Sequence, residues 1–81
     1  MKIYDPVAKR ELSSVTIYVT PEEARQLSYD AAELAADPSR HHEHVGDGQC
    51  SREVTIAVYT KANITMFDME SRQLLADEVG E

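Results

Sequence analysis

Three imidazoles and a carboxylate occupy four consecutive positions, His41-His42-Glu43-His44, and the chain's single thiol, Cys50, follows six residues later. If this stretch is a strand, His42 and His44 project to the same side, about 7 Å apart along the chain. Two imidazoles so placed can share one zinc or nickel ion. A closed zinc site takes four ligands, and Asp47 or Cys50, across a following turn, are the available additions. The CxxC and HExxH spacings are absent, so the plainer reading of the cluster is a set of surface histidines flanking a turn. Imidazoles also titrate near neutrality, which makes the same residues a candidate pH-responsive surface.

Cys50 with His44 forms the one conceivable nucleophile and base pair. It requires hydrogen-bond reach, a third group to orient the base, and a pocket. A two-layer domain of this size has little volume for a cleft. No glycine-rich phosphate loop, GxSxG elbow or zincin motif occurs. The expectation is therefore a chain that is not an enzyme and takes no cofactor.

A third set of functional groups is acidic. Glu23, Asp30, Glu33 and Asp37 recur at helical spacing and form a stripe. A solvated helix face is the simple reading. The sharper one is a small inhibitor or immunity protein whose carboxylates occupy the basic site of an enzyme, complementary charge speeding the encounter.

The elements that would position these groups can be read from period and punctuation. Val15, Ile17 and Val19 alternate with Thr16, Tyr18 and Thr20, the pattern of a half-buried strand over residues 14–20. Thr20-Pro21-Glu22-Glu23 then reads as a helix start, with a capping threonine, proline in the first turn and a glutamate that completes a capping box. The helix should run to about Asp37, where Pro38 stops it. Its apolar face is Ala24, Leu27, Ala31, Leu34 and Ala35. Gly46-Asp47-Gly48 is turn chemistry joining the histidine segment to a second strand over residues 52–60, in which Val54, Ile56 and Val58 alternate with Thr55, Ala57 and Tyr59. Ile64, Phe67, Ser71, Leu74 and Leu75 fall on one face of a closing helix; the alternative is a strand over 64–67 followed by a helix over 69–78. Ile3-Tyr4 opens a short edge strand, and residues 7–12 carry no clear pattern.

Together these predict an α+β fold. It would be a two-layer sandwich with a small antiparallel sheet of three to four strands and two helices on one face, in the order (β)βαββα. At 81 residues the chain makes a single domain, 1–81, with a core small enough to need help. One cysteine rules out an internal disulfide and fits a reducing, cytoplasmic setting. No apolar run resembles a signal peptide or approaches the roughly 20 residues of a membrane span. With 15 acidic and 8 basic residues the formal charge is −7, which disfavours nucleic acid and anionic lipid as partners.

The remaining source of help is a partner chain. With both helices on one side, the open face of the sheet would present Thr16, Tyr18, Thr55 and Tyr59, an uncharged patch with two residues of the type enriched in binding cores. The leading expectation is a small accessory protein of bacterial or phage type that binds protein, as a homodimer built on this face. Metal binding through His42 and His44, and inhibition of a basic-site enzyme, are the two alternatives.

Overall fold

The computed structural model describes residues 1–46 and 52–78. Its best-specified element is helix α1, Pro21–Ala36. Glu23 donates its amide to the Thr20 hydroxyl at 3.1 Å, and the Glu23 carboxylate accepts from the Thr20 amide at 2.9 Å, so both halves of the capping box form. Leu34 is fully buried and Leu27 and Ala31 are half-buried, while Ala24 and Ala35 stay exposed. Asp37 closes the helix through its amide to the Glu33 carbonyl and accepts from Ser39 at the head of a 3₁₀ turn, Pro38–Arg40.

The chain then reverses through His41, whose φ of 50° is left-handed, and enters an antiparallel hairpin of β3, His42–Gly46, and β4, Glu53–Ala57. The register pairs His42 with Ala57, His44 with Thr55 and Val45 with Val54. Period two decides which face packs: Glu43, Val45, Val54 and Ile56 lose exposure, whereas His42, His44, Thr55 and Ala57 keep theirs. Helix α1 packs against both strands. Arg40 ties the two layers at their edge, reaching Glu33 of α1 at 3.7 Å and pairing with Glu43 of β3.

A second hairpin forms at the N-terminus from β1, Ile3–Asp5, and β2, Arg10–Leu12. Asp5 accepts from the amides of Val7 and Ala8, and Lys9 takes a φ of 56°, which together turn the chain. After β4, a 3₁₀ turn at Ile64–Met66 leads to helix α2, Met69–Leu75, capped by Asp68 accepting from the Ser71 amide at 2.8 Å.

The fold is thus α+β, with four strands and two helices among the described residues, but the strands make two separate two-stranded sheets rather than one larger one. Residues 14–20 are the main departure from expectation. They form no strand, because no ladder partner lies beside them among the described residues. The expected long closing helix is also broken: the chain makes a 3₁₀ turn and then the seven-residue α2. Yet Ile64, Phe67, Ser71, Leu74 and Leu75, the face read from the sequence, are all at least half-buried. Among the described residues no helix is long and apolar enough to cross a membrane.

Candidate functional site

Residues 13–19 leave β2 and reach the Thr20 cap without a main-chain hydrogen bond to any other described residue. A strand has two faces, and here the one bearing Val15, Ile17 and Val19 is only partly covered, while Tyr18 on the other lies open. Val15, Ile17 and Val19 are 55%, 46% and 41% exposed, and Tyr18 between them is 93% exposed. Alternating β-branched residues of this kind are normally found against a core, and their outward position is the most unusual feature of the molecule. Residues 16–19 form one wall of an open cleft of about 540 Å³, with Leu27 of α1, Val45 of β3 and Val54 of β4 on its other side. The lining is mostly apolar, and Glu23, Arg52 and Glu53 also contribute to it.

The four residues expected to share an open sheet face are divided between two places. Thr16 and Tyr18 belong to the unpaired segment. Thr55 lies on the outer face of the β3–β4 hairpin, where its hydroxyl bonds the His44 Nδ1 at 2.8 Å. Tyr59, beyond the end of β4, is half-buried. The outer hairpin face is therefore a histidine and threonine surface, not a tyrosine one. Sequence reasoning identified Thr55 as outward-facing, but it placed Thr16 and Tyr18 on the same face by putting 14–20 and 52–60 in one sheet.

His42 and His44 do project to the same side, as the strand period requires, with ring centroids 5.1 Å apart. Each is already engaged. The Nδ1 atoms of His41 and His42 lie 2.7 Å apart, so one ring donates a proton to the other. His44 Nδ1 is also 3.4 Å from the Glu53 carboxylate across the ladder. The His41 ring meets Phe67 edge-on at 5.5 Å, which ties the cluster to the segment before α2. Among the described residues no group of three or more His, Cys, Asp and Glu side chains is gathered to hold a metal ion. Asp47 and Cys50, the expected additional ligands, lie outside the described residues, as does the pairing of Cys50 with His44.

The acidic stripe follows α1 as expected, but its members are spent locally. Glu23 serves the cap, Asp30 accepts from Gln26 at 3.1 Å, Glu33 faces Arg40, and Asp37 holds the Pro38–Arg40 turn.

Fold and site together define a small α+β domain with an uncovered, strand-competent segment beside an apolar cleft. No family model matches the chain, and neither a curated protein nor a solved structure does.

Proposed function

We propose that this chain is a non-enzymatic protein-binding domain that works by strand addition, residues 15–19 supplying the strand. One observation carries the reading: Val15, Ile17 and Val19, a row built to be buried, stand about half exposed in the folded subunit. Strand addition is a recurring mode of protein recognition because main-chain hydrogen bonds give affinity and alternate side chains give selectivity. The segment offers both. It also carries no charge from Leu12 to Pro21, in a chain where 28% of residues are charged. Charge is the usual means by which an exposed edge is kept from pairing, and its omission here marks the segment as meant to pair.

Placing Ile17→Lys in the segment tests this. A residue that lines a binding surface tolerates the change in the free subunit, so the dilute chain should lose no more than about 1 kcal/mol in thermal or denaturant unfolding. A loss of several kcal/mol would show that Ile17 belongs to the subunit's own core, and the binding surface would not exist.

A further inference from the structure

We infer that the strand added to residues 15–19 comes from a second copy of this chain, paired antiparallel about a twofold axis through Ile17. The inference rests on the strand-addition reading and names its partner. Three observations select a copy of the same chain over a foreign strand.

The first is the segment's own symmetry. In a twofold antiparallel pair centred on Ile17, Val15 faces the partner's Val19, Thr16 faces the partner's Tyr18, and Ser14 faces the partner's Thr20. Every apolar residue then meets an apolar residue on one face, and every hydroxyl-bearing residue meets another on the opposite face. A shift by one position breaks this match, and a shift by two sets Val19 against Ser13 or Val15 against Pro21, so only the Ile17-centred register pairs all three β-branched residues with one another. Twofold interfaces require this kind of self-complementarity.

The second is surface area. The chain exposes 6199 Å², whereas a compact monomer of its 9.1 kDa exposes about 4,900 Å². Its radius of gyration, 13.3 Å, also exceeds the roughly 11.7 Å of a compact domain of this length. The surplus is larger than the roughly 800 Å² that each partner buries in an interface of standard size. The chain as a whole therefore has area to spare for an interface of standard size.

The third is charge. Two chains that each carry −7 repel one another over most of their surfaces. The uncharged stretch from Leu12 to Pro21 is where two such surfaces can approach without opposing carboxylates. In the paired arrangement the Val15, Ile17 and Val19 rows of both copies form one continuous apolar strip along the clefts floored by Leu27, Val45 and Val54.

Sedimentation equilibrium of the full chain, combined with cysteine capture, tests the pairing. Residues directly opposite each other in an antiparallel pair have Cα atoms about 4.5–5.5 Å apart, within the span of a disulfide. In a Cys50→Ser background, Ile17→Cys should be converted to a covalent dimer by mild oxidation. Tyr29→Cys, at a more accessible position on α1, should stay monomeric under the same conditions. The chain without these substitutions should shift from monomer to dimer mass as its concentration rises. A monomer mass at every concentration, with no preferential capture at position 17, overturns the inference. In that event a neutral Ile17→Lys keeps strand addition standing with a foreign partner, whereas a destabilising Ile17→Lys removes both. A dimer that Ile17→Cys fails to capture places the contact elsewhere and overturns the twofold register.

Discussion

Asn63 reaches back 25 positions to donate a side-chain N–H to the Pro38 carbonyl at 2.8 Å. Its second N–H goes to the Val58 carbonyl at 2.8 Å, and its carbonyl oxygen accepts from the Thr60 amide at 2.7 Å. This is the one buried polar side chain among the described residues, and none of its hydrogen-bonding capacity is wasted. It joins the turn after α1 to the chain leaving β4, and so holds the α1 and hairpin layers against the C-terminal segment. Asn63→Ala takes the partner from the Val58 carbonyl and the Thr60 amide, while the Pro38 carbonyl keeps the His41 amide. An unpaired buried group costs about 1–3 kcal/mol, so a loss of about 2 kcal/mol or more is expected in denaturant unfolding. Loss of less than about 1 kcal/mol would mean water replaces the amide freely.

Thr20 has two tasks: it ends the exposed segment and starts α1. Thr20→Ala removes the cap and leaves the Glu23 side of the box without its partner. Stability should fall by about 1 kcal/mol, measured by chemical denaturation. Thr20→Ser keeps the hydroxyl and should restore most of it.

The N-terminal hairpin is tied to the α2 end by charge. Lys2 bridges Glu11 and Asp77, at 3.3 Å to each, and Lys9 meets Glu70 at 3.3 Å. The hydrogen bond to Glu11 holds the Lys2 ammonium above its ordinary value of 10.5, a rise opposed by desolvation and assisted by Asp77. Partial burial, and then the neighbouring Glu70, push the Tyr4 hydroxyl above its ordinary 10.0. Both shifts favour the protonated form in the folded state. Their stabilisation is therefore complete below the ordinary values and is lost as pH rises through the higher folded values. Stability should decline on the alkaline side of about pH 10, and Tyr4→Phe with Lys2→Met should flatten that branch. At the acid end the sign reverses. Hydrogen bonds from Ser71 hold the Asp68 carboxyl below its ordinary 3.8, so its cap on α2 contributes above that value and is lost as pH falls through the lower folded one. Asp68→Asn should make α2 insensitive to that acid transition in circular dichroism titrations.

Association should tighten as salt is added. Each copy brings a charge of −7, so two copies repel one another wherever their surfaces face. Salt screens such repulsion within a Debye length of about 8–10 Å at physiological ionic strength. The dimer dissociation constant, measured by sedimentation at low and moderate salt, should fall with ionic strength. A constant that rises with salt would indicate a contact built on opposite charges.

Where local chemistry decides the structure, the sequence was a sufficient guide. Thr20-Pro21-Glu22-Glu23 announced α1, Pro38 its end, and the alternation of Val54, Thr55 and Ile56 the strand opposite His42–Gly46. Residues 10–12 were illegible because Arg10-Glu11-Leu12 has no alternation; Asp5 and the left-handed Lys9 create their pairing. The long closing helix failed at Asn63. Its side chain binds the Thr60, Val58 and Pro38 main chain more effectively than a helical turn would use it. Residues 14–20 teach the more general point. Alternation records that a segment is competent to pair, but a strand exists only when another edge lies beside it, and period alone does not say whose edge that is. For the site, the sequence placed Thr16 and Tyr18 on one sheet face with Thr55 and Tyr59, whereas the folded chain sets them in the unpaired segment.

Amide hydrogen exchange of Val15 to Val19, read at low and at high protein concentration, tests the uncovered strand most directly. Strand addition between copies requires these amides to exchange at near-unstructured rates in dilute solution and to become protected, like the β3–β4 ladder, as the chain is concentrated. Protection already present in the dilute monomer would show that the segment pairs within its own subunit, leaving no strand to offer.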